Sequence, residues 1–230
     1  MHQHTLPRPL KNPPIFPLQK GLVAWYPFDN RSGAKLYDRC DKRNHGTITG
    51  ATWVSHQRGS ALSFDGVNNK VVTGITGFPI GATARTIIAF IKSTELAGLR
   101  YLFGYGLASD NNLFSLQILG SGQLQFHGYN NDVTSTFASA LEENVTSHIA
   151  ISYDGDVTIT FYIDNVANEQ TLSAPLNTTG TQLGIGYIGP DYAETAFWKG
   201  IINNFMVINR KLTAAEIYRL HESEIMLVRG

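Results

Sequence analysis

Charge is scarce in this sequence. Its 230 residues include 18 Lys plus Arg and 18 Asp plus Glu, 16% in all, where about 25% is ordinary for a globular chain. The two signs cancel, so there is no basic field to displace counterions from a polyanion, and no nucleic-acid partner is expected. A single cysteine, Cys40, cannot form an internal disulfide. The chain is therefore not a stapled secreted miniprotein, and redox chemistry lends no support to an extracellular home. No window reaches 18 continuous apolar residues, which excludes a helix that inserts across a membrane. Nor does the start carry the apolar core of a secretory signal. What abounds is glycine, at 22 residues, with 20 Thr and 16 Asn. That composition suits β-strands joined by tight turns, in a length that fits one domain.

The first twenty residues differ from the rest. Pro7, Pro9, Pro13, Pro14 and Pro17 are five of the nine prolines, and the stretch holds no acidic residue. Proline fixes φ and removes a backbone donor, so neither a helix nor a central strand forms here. Two readings stand: a disordered leader, or an extended arm lying on a neighbouring subunit with Ile15, Phe16 and Leu18 as anchors. In polyproline II form the arm would span roughly 60 Å, more than a domain radius.

From Gly21 the pattern is strand, turn, strand. Strands are predicted at 85–92, 100–105, 113–119 and 123–127. The clearest pair is a hairpin: Ile149, Ile151 and Tyr153 alternate with His148, Ala150 and Ser152, then Asp154-Gly155-Asp156 turns the chain. Val157, Ile159, Phe161 and Ile163 repeat the alternation on the return. Period two around an Asp-Gly turn is the strongest short-range hairpin signal. Further strands are expected at 46–52, 61–64, 70–73, 168–173 and 182–187. The run 200–208 (GIINNFMVI) is apolar on both faces, as befits a strand covered on both sides. One helix is predicted, 214–221, with Thr213 and Glu216 at capping-box spacing. Many strands and one terminal helix give an all-β sandwich over 21–221. Beyond it, 222–230 (ESEIMLVRG) is expected to be an apolar tail that packs on the parent domain or on another chain.

Three islands carry a resemblance. The first is Gly21 to Phe28 (GLVAWYPF), with Asn44-His45-Gly46 and Gly50 to Trp53 following it. The second is Gly59 to Gly66 (GSALSFDG). The third is Phe197 to Asn204 (FWKGIINN), running on to Ile208 through Thr213 and to Glu216-Ile217. Together they resemble the laminin-G-like jelly rolls of the concanavalin A-like lectin/glucanase superfamily. The resemblance implies two antiparallel sheets, with glycan bound on a concave face or in the loops at its rim. Trp25, Phe28, Trp53 and Phe64 are then expected in the core, and Asn209-Arg210 at the connection into the helix.

The hydrolases of that superfamily place Glu-x-Asp-x-Glu on one strand, because glycoside hydrolysis needs two facing carboxyl groups. That pattern is absent here, and no catalytic residue is expected. Related domains often hold one structural calcium. The resemblance offers Asp65 as a first ligand and Asn203 and Asn204 where an acidic pair is usual, though two amides do not neutralise the dication. Glycan recognition needs aromatic rings beside amides and carboxylates. The candidates are Tyr129, Asn130, Asp132, Asp191, Tyr192 and Trp198. The expected function is a non-catalytic, glycan-binding or adhesion-type jelly roll displayed on a virion, as a decoration, head-fibre or tail component. Its partners would be other virion subunits, or copies of itself, through 1–20, together with surface glycans. The alternatives are a lectin-like module of a bacterial surface or polysaccharide-processing system and, more remotely, a glycoside hydrolase.

Overall fold

A computed structural model describes residues 20–57, 59–74, 76–189, 192 and 195–226, the last four as backbone. The strands are β1 (Leu22–Tyr26), β2 (Lys35–Leu36), β3 (Gly46–Thr49), β4 (Thr52–His56), β5 (Gly59–Asp65) and β6 (Lys70–Val72). They continue as β7 (Arg85–Ser93), β8 (Arg100–Tyr105), β9 (Phe114–Ile118), β10 (Leu124–His127) and β11 (Val133–Thr134). The last are β12 (Thr146–Tyr153), β13 (Thr158–Ile163), β14 (Val166–Thr171), β15 (Gly184–Ile185) and β16 (Lys199–Ile208), and one helix, α1 (Ala214–Met226), follows. The first sheet runs β14-β13-β12-β7-β16-β5-β4, with β1 also on β16. The second runs β11-β10-β9-β8-β15-β6-β3-β2. Strand pairing within both is antiparallel.

Alternation explains the layering. In β7, Ile87, Ala89 and Ile91 enter the core between the sheets, while Ile88 joins a second cluster on the outer face of the first sheet. There Ala150, Tyr162, Met206 and Ile208 receive Ile217 and Leu220 of α1. This is why the run in β16 is apolar on both sides. From the second sheet Leu102, Phe103, Leu116 and Phe126 close the core. Phe28 and Phe64 are buried there as expected. Trp53 packs against this core and Trp25 against the outer cluster, both half-buried.

Several boundaries shift by a residue or two, and three differences from the sequence reading change the architecture. The stretch 46–52 is two strands in different sheets, broken at Gly50 (φ 76°), where a Cβ would meet the Asn69 side chain at 2.3 Å. The strand expected at 182–187 shrinks to β15, because Gly184 and Gly186 admit a loop that turns back over β8. The helix continues five residues past His221, so 222–226 is helix rather than tail. Nothing in Glu222-Ser223-Glu224 breaks a helix, and the nearest breaker is Gly230. Residues 227–230, and the arm with Ile15, Phe16 and Leu18, lie outside the described residues.

The helix is capped as its spacing predicts. Thr213 N donates to Glu216 Oε2 at 2.9 Å and Glu216 N to Thr213 Oγ1 at 3.3 Å. The Arg210 guanidinium grips the same carboxylate with two bonds and donates through Nε to the Lys20 carbonyl at 2.9 Å. That grip, above all, pulls the Glu216 carboxyl down to about 2. Asn209-Arg210 thus fixes the connection into the helix and ties it to the start of β1.

Among the described residues, one Lys or Arg side chain is fully buried. Arg85 donates to the carbonyls of Thr83, Pro79 and Gly81 and to the Tyr105 hydroxyl. Its guanidinium carbon lies 5.0–5.9 Å from the ring centres of Phe114, Tyr153 and Tyr105. No carboxylate pairs with it among the described residues.

Candidate functional site

At one end of the second sheet, several loops meet. The turn after β10 sets Tyr129 and Asn130 at positive φ, 57° and 60°. Asp132 Oδ1 accepts from Gly128 N at 2.9 Å and so closes this turn. The β8–β9 loop comes alongside: Asn111 N donates to the Tyr129 carbonyl at 3.1 Å, and Asn130 Nδ2 donates to Asp110 Oδ1 at 2.8 Å. The third contributor is the connection from β15 to β16. It lies directly on β8, where a Cβ on Gly104 would stand 1.9 Å from the Ile188 carbonyl oxygen. Only glycine permits that approach. Ile188 then packs with Tyr101 and Leu113, and the segment delivers Tyr192 to the rim.

The result is an aromatic shelf with polar groups at its margin. The Tyr129 and Tyr192 ring centres are 6.4 Å apart at 59°, and His127 stacks on Tyr129 at 6.4 Å and 19°. Tyr192 OH donates to the Leu107 carbonyl at 3.0 Å. Both tyrosines are half-buried, whereas Asp110, Asn130 and Asp132 are exposed. Beneath them Tyr101 Oη and His127 Nδ1 share a hydrogen bond of 3.2 Å. Burial lowers the His127 pKa, opposed by the Asp132 charge, and burial with that same charge pushes Tyr101 up to about 12. The imidazole is therefore neutral and the phenol protonated at neutral pH. A row of amides crosses the sheet beside them, Gln117 Nε2 donating to Gln125 and Gln125 Nε2 to Thr134. Gln117 Oε1 is buried with no partner among the described residues.

The structure thus gathers four of the glycan candidates, Tyr129, Asn130, Asp132 and Tyr192. Asp191 lies outside the described residues. Trp198 needs correction: it is 0% exposed and part of the core between the sheets. It immediately precedes β16, in phase with Ile202, so its indole points inward and offers no surface. Tyr101 and His127 were not singled out from the sequence. The signal for His127 was there, since Leu124 and Phe126 alternate with Gln125 and His127 and so put the latter outside.

The calcium set also needs correction. Asp65 pairs with Lys199, four residues before Asn203 along β16, a separation of about 13 Å at strand rise. Asp65 Oδ1 accepts from Val67 N and Asn68 N, bonds that hold its carboxyl below the usual range. Asn203 Nδ2 donates to the Ser60 carbonyl, and Asn204 Oδ1 accepts from Trp25 Nε1. These three residues serve separate local bonds and do not converge on one ion. Among the described residues, no three His, Cys, Asp or Glu side chains form a metal-binding group. Cys40 is half-buried, and burial, aided by the Asp38 charge, pushes its thiol up to about 12, far from a reactive thiolate.

Residues 65–218, more than half of the chain, match the laminin-G family model of the concanavalin A-like lectin/glucanases superfamily. The chain belongs to this family. As a laminin-G-like jelly roll it is similar in fold to solved structures at low identity. One is Trypanosoma rangeli sialidase in complex with sialic acid, at 21% identity and TM-score 0.65, covering 90% of this chain and 33% of that one. The jelly roll thus spans about a third of the sialidase. A second is domain 4 of a GH43 extracellular arabinanase from Geobacillus stearothermophilus, in complex with arabinotriose. It is 18% identical, with TM-score 0.67 and coverage of 87% and 98%. A third is the binding domain of Paraclostridial Mosquitocidal Protein 1, at 14% identity, TM-score 0.71 and coverage of 90% and 53%. No curated protein sequence matches the chain.

Proposed function

We propose that this jelly roll is a non-catalytic module that binds a saccharide at the Tyr129–Tyr192 rim. The observation that carries the reading is the convergence of two half-buried tyrosines from separate loops beside exposed Asn130, Asp110 and Asp132. A sugar presents an apolar face of C–H groups, which a ring covers, and a belt of hydroxyls, which amides and carboxylates bond. Sialic acid and arabinotriose in two of the similar structures favour the same ligand class. Two carboxylates with close basic partners serve the scaffold: Glu95 holds Arg100 and Lys199, and Glu216 holds Arg210. Screening on a glycan array, followed by calorimetry, tests the reading. Tyr129→Ala and Tyr192→Ala are each expected to weaken binding about tenfold, or about 1.4 kcal/mol, with the fold intact. No reducing ends should appear from the bound polysaccharide on long incubation. Unchanged binding in both variants would move the site elsewhere, and release of reducing ends would end the non-catalytic part.

Display on a virion or other particle is the finer part of the proposal. Its support is the proline-rich composition of 1–20, with Ile15, Phe16 and Leu18 as anchors against a neighbouring subunit. Proline lowers the entropy lost when such an arm is ordered. A chain starting at Lys20 keeps the carbonyl that Arg210 holds. It is expected to retain its melting temperature yet lose self-association in sedimentation experiments. Equal assembly with and without the arm would refute this part.

A further inference from the structure

A second concavity lies on the other sheet. Antiparallel register sets Thr146, Lys92 and Ile201 side by side across β12, β7 and β16. Their neighbours Ile91, Ile149 and Ile202 occupy the core, so these three face outward. The end of β4 and its turn, Ser55 to Gln57, border the same face. With Asn144 they enclose a cavity of about 390 Å³, at the small end of the range for ligand pockets. His56 Nε2 lies 3.5 Å from Thr146 Oγ1 across it.

The charge in this cavity is unbalanced. Lys92 is half-buried on a central strand, and its ammonium meets no carboxylate among the described residues. The acidic groups nearest in sequence are engaged: Glu95 holds Arg100 and Lys199, and Glu143 accepts from Leu96 N. A cation partly withdrawn from water favours an anionic partner, and a carboxylate would answer it with a charge-assisted hydrogen bond. The same lining holds a hydroxyl (Thr146), an amide (Asn144) and an imidazole (His56), and no Phe, Tyr or Trp. That lining suits a small anion rich in hydroxyls.

We infer that this cavity binds the carboxylate of an acidic sugar, with Lys92 as its counter-ion and Thr146 and Asn144 donating to the same group. Ser55 and Gln57 stand where the sugar hydroxyls would lie. The site is separate from the tyrosine rim, so the jelly roll would present two binding surfaces of different charge preference, one on each sheet.

Calorimetry of the full chain with sodium glucuronate and with glucose tests this. Lys92→Met keeps the aliphatic stem and removes the charge. It is expected to weaken glucuronate binding at least about tenfold and to leave any glucose binding unchanged, while Lys92→Arg restores part of the loss. Thr146→Val, on the neighbouring strand, should show the same selective loss if Lys92→Met fails to fold. Tyr129→Ala should leave glucuronate binding intact, which separates this site from the rim. The inference is overturned if the native chain binds no glucuronate, if Lys92→Met binds it as well as the native chain does, or if Tyr129→Ala abolishes it.

Discussion

Arg85→Ala is expected to destabilise the domain by about 4 kcal/mol, the largest effect of any single polar substitution here. Truncation removes at once the donor to the carbonyls of Thr83, Gly81 and buried Pro79 and to the Tyr105 hydroxyl. Of these, Pro79 keeps only the bond from Tyr105, and a buried group left without its partner costs about 1–3 kcal/mol. It also opens a void among Phe114, Tyr153 and Tyr105, where the guanidinium now rests. At about 2–4 °C per kcal/mol for a chain of this size, the melting temperature should fall by about 10 °C. Arg85→Lys should recover little, because a single ammonium cannot address carbonyls on several sides as a planar fork does. Thermal and urea denaturation would read both variants. An alanine variant that melts with the native protein would show that loop carbonyls, not this cation, hold the 79–85 corner.

Trp198→Ala is expected to cost about 3–5 kcal/mol, the usual range for emptying the place of a buried aromatic. The indole is wholly enclosed between the sheets. Trp198→Phe should lose far less, since most of the volume stays. Saccharide affinity measured on the folded fraction of either variant should match the native value. A variant that keeps its melting temperature but loses binding would restore Trp198 to the surface role that its neighbourhood in the sequence suggests.

Much of the fold was legible because periodicity is local. Ile149, Ile151 and Tyr153 alternate about Asp154-Gly155, and the register Ile149 to Ile163 and Tyr153 to Ile159 follows that pattern. In β16, apolar residues on both faces announced a strand covered twice. Thr213 and Glu216 announced their cap. What stayed hidden was decided by single residues or by long-range pairing. Trp198 sits one position before a strand, so a phase of one residue chooses between core and surface. Gly50 divides 46–56 between two sheets, and nothing nearby distinguishes it from a bulge. The Tyr101–His127 pair depends on the order β8-β9-β10, which brings together residues 26 apart. Tyr129, Asn130 and Asp132 were readable as a polar turn, but their meeting with Tyr192 rests on Gly104 letting a loop lie on β8.

The junction at Arg210 also decides how the domain answers a pull. β1 runs antiparallel along β16, with Leu22 opposite Ile208, so the segments before β1 and after β16 leave from the same end of the pair. Tension between them opens that pair as a zipper, one rung at a time, rather than shearing all rungs together. The teeth loaded first are Asn209 N to the Gly21 carbonyl and Arg210 Nε to the Lys20 carbonyl. Because Arg210 also grips Glu216, force arriving at Lys20 passes into the base of α1 before any core strand bears it.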